Sequence, residues 1–281
     1  MKEVRALTDG FGIGHFFRFR IASQVMKENF RMTIILTLLF MGMTAMYAGM
    51  FPQFQEFLIQ MIESGGGESF YNMFPHADQM HTYVGFLTIE LYTIFWLLIL
   101  GIILGFIGAA SISKEIEGKT IDLLMSNPVS RKQIVFEKFI GLIPMFLVVN
   151  FVTMISVFGI TIAIDESIEF ENLLMVHLVS IPYFLAIISI GILLSVIINE
   201  KMKSSIFLIA ILIGMYFINM ISLLTPDMEF LGYLSMNHYF DTFIVLNNGE
   251  IDISGVLVLI CVITFCLVTS MIYFEHKDIE V

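Results

Sequence analysis

The chain has 281 residues, 58% of them hydrophobic and only 14% charged, with a formal net charge of -11. Soluble domains are closer to one quarter charged, so this balance excludes an ordinary water-soluble enzyme and points to the membrane. No nucleic-acid partner is expected.

Residues 11–31, "FGIGHFFRFRIASQVMKENFR", form a basic amphipathic segment. Phe19, Ala22, Met26 and Phe30 recur at spacings of three and four, while Arg18, Lys27 and Arg31 reach towards headgroups. Residues 1–31 are therefore expected to form a cytoplasmic segment with a helix lying in the inner interface. The first apolar run follows this basic segment, so no cleavable leader is expected.

Six runs then lack Asp, Glu, Lys and Arg: Met32–Met50, Leu91–Ile112, Phe139–Ile164, Leu173–Ile198, Ser204–Thr225 and Ile253–Phe274. At about 1.5 Å per residue each can cross a hydrocarbon core of about 30 Å. Their apolar character is continuous, without strict alternation, which predicts helices and argues against a barrel. The expected fold is an all-α membrane protein, with six transmembrane helices within residues 32–281.

The connecting segments carry their own signals. Phe54, Phe57, Leu58, Met61 and Ile62 share one helical face, with Pro52 placed to start a helix and Gly65–Gly67 to stop it. An outer interfacial helix over 52–63 is expected. Pro182 should kink or interrupt the fourth run. Residues 225–252 are too long for a turn and only partly apolar, which predicts short re-entrant or surface helices. Cys261 and Cys266 lie five positions apart on one helix, a spacing that suits neither a disulfide nor a metal clamp.

Charge sets the expected topology. All 14 Lys and Arg fall in the amino-terminal segment, the loops after the second and fourth runs, or the carboxyl tail. The positive-inside rule then places both termini in the cytoplasm of a multi-pass plasma-membrane protein. The three outer segments are acidic, which makes a solvated rim or a weak attraction for cationic solutes.

The loop "SISKEIEGKTIDLLMSNPVSRKQIVFEKF" concentrates charge between the second and third runs. Its Gly118-Lys119-Thr120 matches the end of a phosphate-binding loop, yet that motif needs glycine at position 113, where Ser113 stands. It also needs a preceding strand and a nucleotide-binding domain, and a membrane helix precedes it here. A mechanical reading suits the residues better. Gly118 marks a break, Thr120 can cap a short helix with Asp122 in its first turn, and Ile121, Leu123, Leu124 and Met125 offer apolar surface. Asn127-Pro128 ends that helix, and Ser130…Gln133 has capping-box spacing for the next. Residues 113–138 would form a rigid knob joined to two spans.

This loop resembles that of the permeases of ABC type-2 transporters, through Glu115, Gly118-Lys119-Thr120, Leu123-Leu124 and Pro128-Val129-Ser130-Arg131. The stretch "YLSMNHYFDTFIVLNNGEIDISGVLVL", with its Gly-x-Ile-Asp, is similar to the family's segment before the last span, although many relatives have Pro-Phe at Met236-Asn237. The closing "YFEHKDIEV" resembles the family's charged end. The subgroup most similar includes permeases of copper-enzyme maturation and of natural-product or bacteriocin resistance.

The resemblance implies a permease that pairs with a second permease copy, identical or not, above two separate ABC ATPase subunits. ATP and Mg would bind those ATPases, leaving this chain without a cofactor or a catalytic residue. The family's ATPase coupling surface maps onto Glu115, Glu117, Gly118, Thr120, Asp122, Leu123, Leu124, Pro128, Ser130 and Arg131, together with the interfacial amino-terminal helix. Its cargo path lies between the two permeases, lined by first, second and fifth spans, and export is the usual direction.

Rival readings have less support. An intramembrane enzyme needs nucleophiles, acids or metal ligands in its spans, and His177 is the one readily ionisable residue there besides tyrosine and cysteine. An ion-coupled carrier usually keeps buried carboxylates, at about 2.5–3.5 kcal/mol each, because they perform the coupling. A non-transporting membrane sensor or scaffold is the best rival. One candidate metal site lies in "NMFPHADQMHTY", where Met73, His76, Met80 and His81 are ligand types that suit copper. Methionine is also an ordinary flexible apolar residue in membranes.

Overall fold

In a computed structural model, residues 19–63, 75–76, 79–121 and 129–278 are described, and among them the chain is helical without a strand. Six helices are long and apolar enough to cross a membrane. We call them the first to sixth spans. They comprise Arg20–Glu63, Tyr83–Ala110, Arg131–Ala163, Phe170–Ile197, Lys201–Leu224 and Ile253–His276.

The first span is one unbroken rod of 44 residues. At 1.5 Å per residue it is about 66 Å long, roughly twice a hydrocarbon core, so it must project beyond it. The helices expected as separate elements before residue 32 and from Pro52 onward are the two ends of this rod. Pro52 lies inside it, where the sequence reading made it a start. Proline removes one backbone donor and crowds one carbonyl, and in a membrane helix neighbouring groups absorb that loss. Pro144 and Pro182 are likewise internal to the third and fourth spans, so of the kink or interruption expected at Pro182 the interruption does not occur. Arg18 and Gly65–Gly67 lie outside the described residues.

Thr82 caps the second span by accepting from the Gly85 amide at 3.1 Å. Thr88–Leu100 then runs in the wider π form before α-helix resumes at Gly101–Ala110. Between the fifth and sixth spans lie two 3-10 segments, Pro226–Leu234 and Met236–Tyr239, and the short helix Thr242–Asn248. Short helices were expected there. Asp241 caps the last through the Phe243 and Ile244 amides, and Gly249 ends it with φ 69°, a left-handed position that suits glycine.

The fourth span is the hub. It packs on the second, third, fifth and sixth spans and on Thr242–Asn248. Second and fourth spans meet backbone to backbone at small residues. A Cβ at Gly191 would sit 2.8 Å from the Gly105 carbonyl oxygen and 2.9 Å from the Ala109 nitrogen. Such close approach is how helices gain dispersion contact where lipid removes the hydrophobic drive.

A buried polar cluster ties the second, third and fourth spans. The Asn150 amide donates to the His177 carbonyl at 2.9 Å, which leaves its side-chain oxygen as the acceptor. That oxygen lies 2.7 Å from His177 Nδ1 and 3.2 Å from the donating Ser180 hydroxyl. His177 Nδ1 therefore carries a proton, and Nε2 lies 3.0 Å from the Tyr92 hydroxyl in a second hydrogen bond. Trp96 packs edge-on against the His177 ring at 5.1 Å.

Candidate functional site

The segment between the second and third spans gathers the charges at one end of the bundle. Ser113–Glu117 forms a short helix capped by Gly118, where the sequence reading placed a break. The left-handed residue is the next one, Lys119, at φ 53°. The Lys119 amide donates to the Ile116 carbonyl at 3.1 Å and the Thr120 amide to the Glu115 carbonyl at 2.9 Å. This is the Schellman pattern with a lysine in the position glycine usually takes.

Most of the described charged side chains here are spent inside the chain. Glu115 accepts from Lys138 Nζ at 3.0 Å and from the Thr120 hydroxyl at 2.7 Å. Burial alone would raise its carboxyl, but Lys138 and the Thr120 hydroxyl outweigh that and hold it below the usual carboxylate range. Glu117 accepts from the Lys201 amide at 2.9 Å and so caps the start of the fifth span. Glu137, buried at 2% exposure, accepts from the Ile21 and Ala22 amides at 2.8 and 3.2 Å and caps the start of the first. A carboxylate at a helix start satisfies orphan amides and meets the positive end of the helix dipole.

The opposite helix ends are treated in mirror fashion. Arg131 donates to the Phe274 carbonyl at 3.1 Å and also to the Lys277 carbonyl, beyond the sixth span. Lys277 Nζ donates to the Val196 and Ile197 carbonyls at the end of the fourth. The Ser195 hydroxyl oxygen accepts from the Ile112 and Ser113 amides at 2.7 and 2.8 Å, where the second span gives way to the short helix. Lys114 pairs with Glu28 at 2.9 Å and Lys132 with Glu275 at 2.8 Å. The loop is thereby fastened to the first, fourth, fifth and sixth spans, besides being continuous with the second and third.

Of the residues read as coupling positions, Glu115, Glu117, Thr120, Ser130 and Arg131 have partners within the chain. Ser130 caps the third span by accepting from the Gln133 amide at 3.1 Å. Gln133 spends its side chain on Glu137 at 2.7 Å. Thr120 bonds back to Glu115, and Ile121 is buried in the core where apolar surface was expected. Asp122, Leu123, Leu124, Met125 and Pro128 lie outside the described residues. Sequence reasoning missed Glu137, Ser195, Lys138 and Lys277, whose roles depend on contacts distant in sequence.

The candidate copper ligands face different surroundings. Met73 lies outside the described residues. His76 stacks on Phe243 with centroids 3.9 Å apart, Met80 is buried in the core, and His81 is exposed. Among the described residues no group of three or more His, Cys, Asp or Glu could hold a metal ion.

Six apolar helices closed at one end by reciprocal charged caps define a multi-pass membrane protein. Residues 21–279 match the profile of the ABC-2 family transporter proteins, and the chain belongs to that family. It is thus a membrane component of a transporter. No curated protein matches the chain.

Proposed function

We propose that the chain is the permease subunit of an ATP-driven exporter in the plasma membrane, working as a permease dimer on two separate ATPase subunits. The bracing of residues 113–138 carries this reading. Force applied to a loop fastened to four further spans is delivered to the whole bundle, whereas a loose loop would absorb it. The termini would be cytoplasmic, because the described Lys and Arg gather at the end that holds this loop. ATP and Mg would act in the partner, and the Gly118-Lys119-Thr120 of this chain would touch that partner without binding nucleotide.

The structure changes which residues test this best. Glu115→Lys would break an internal brace along with any docking contact, so its failure would be ambiguous. Leu123 and Leu124 are the better targets. Burying two leucines at about 25 cal/mol per Å² supplies most of the docking energy, with rim charge setting encounter and orientation. The Leu123→Asp/Leu124→Asp double variant should insert and fold, but lose the co-purifying ATPase and its cargo-stimulated ATP hydrolysis. Full retention and transport would show that the loop is not the coupling element. If no ATPase co-purifies with the native chain, the reading gives way to a membrane sensor or scaffold.

A further inference from the structure

At the charged end, the first, second, third and fifth spans and the loop border a half-open cavity of about 170 Å³. Three lysines line it, Lys114, Lys138 and Lys201, against one carboxylate, Glu28. The hydrogen-bond inventory is unbalanced. Lys138 is only 3% exposed, and among the described residues its three N–H donors meet one acceptor, Glu115. Lys201 makes no ion pair among the described residues and rests over the Phe106 ring at 5.8 Å. Ser111, 6% exposed, also lines the cavity, and its buried hydroxyl has no hydrogen-bond partner among the described residues. An unmade hydrogen bond and an under-coordinated ammonium are both costly to bury, and one ligand with several acceptor oxygens would resolve both.

We infer that this cavity binds the phosphate group of an anionic phospholipid. Lys114 is balanced by Glu28 and Lys138 by Glu115, so one net positive charge remains to match the single charge of a phospholipid phosphate, whose oxygens can accept from the lysines and the hydroxyl. Phe106 and Leu142, in the wall beside those lysines, favour a phosphate that arrives with acyl chains over a soluble one. Basic pockets between membrane helices take such headgroups. Glu28 is already engaged by Lys114 and Gln24, so it opposes the anion less than a free carboxylate would. The inference requires only that the lysine-bearing end meets the membrane surface, and does not depend on the chain pumping cargo.

Thermal unfolding of the purified full chain in detergent tests this, with added phosphatidylglycerol, phosphatidylcholine or inorganic phosphate. Phosphatidylglycerol near saturation should raise Tm by roughly 4 °C, and phosphatidylcholine should not. Lys201→Gln should weaken the apparent affinity for phosphatidylglycerol roughly fivefold, one lysine's share of headgroup attraction. Lys201→Arg should restore it. Lys203→Gln, at an exposed lysine on the same helix end that pairs with Glu200, should change nothing. Ser111→Ala should also weaken binding, which keeps the idea testable if Lys201→Gln fails to fold. Equal shifts with both lipids, or equal affinity in the Lys201 and Lys203 variants, would overturn the site. A full shift from inorganic phosphate, with the same dependence on Lys201, would overturn the lipid assignment.

Discussion

The fourth and fifth spans are nearly equal in hydropathy, yet 67% of the fourth span's most apolar window is buried in the bundle against 17% of the fifth's. Apolar content decides that a helix enters the membrane and is silent about where it sits in the bundle. The difference lies in polar and small residues. The fourth span buries Asn172, His177, Ser180, Ser189 and Ser195, and brings Gly191 against the second span. The fifth buries Ser204, Ser205 and Ser222 near its ends and turns Ile206, Phe207, Phe217 and Ile221 outward. In lipid, a polar group in mid-span must find a protein partner, so polarity marks the inside.

The largest expected effect comes from breaking the polar cluster that holds the fourth span. Asn150→Ala removes bonds to the His177 carbonyl, to His177 Nδ1 and to the Ser180 hydroxyl. At about 0.6 kcal/mol per interhelical hydrogen bond in a bilayer, the loss should be about 2 kcal/mol. Unfolding by a denaturing detergent in mixed micelles would measure it. A loss under about 0.5 kcal/mol would mean that packing alone fixes the fourth span.

Next is the close approach itself. Gly191→Ala places a Cβ within 3 Å of backbone atoms on the second span, where no rotamer change gives relief. Forced separation should cost about 1–2 kcal/mol, measured the same way. An unchanged stability would show that the two helices have slack between them. Smaller still is Ser195→Ala, which strands the Ile112 and Ser113 amides at a helix end. About 1 kcal/mol is expected, the usual worth of a cap. It should be accompanied by faster hydrogen exchange at those two amides, and unchanged exchange there would remove Ser195 as their anchor.

The same contrast explains what could be read from the sequence. Span number was legible because a charge-free run of sufficient length has few alternatives in water. The polar cluster left a partial signal: Asn150 and His177 are conspicuous in apolar runs, but nothing local says that they meet. The ends were less legible. Pro52 looked like a helix start because that is its commonest use, and only its surroundings decide that the rod continues through it. The π stretch Thr88–Leu100 has no compositional signature. In the loop, the concentration of charge was plain and its destination was not. Glu115 and Glu117 looked like contacts for a partner, whereas Lys138 and the Lys201 amide already occupy them. Gly118 looked like the natural turn residue, yet the left-handed conformation falls on Lys119.

The smallest effect belongs to the fifth span, and it is the sharpest test of the contrast. Phe217 is 57% exposed, so a single copy of the chain buries little of its ring. Phe217→Ala should lower the stability of the isolated chain in detergent by less than about 0.5 kcal/mol, the range of substitutions away from packed features. A buried phenylalanine would instead cost about 3–5 kcal/mol. If the loss exceeds about 1 kcal/mol in dilute chain, the outward face is packed within one copy and the difference between the two spans collapses. The proposed dimer makes the outcome depend on concentration. If a second permease covers this face, the variant's deficit should grow as the wild-type chain is brought to concentrations where it pairs. A deficit that stays small at every concentration would leave Phe217 facing lipid.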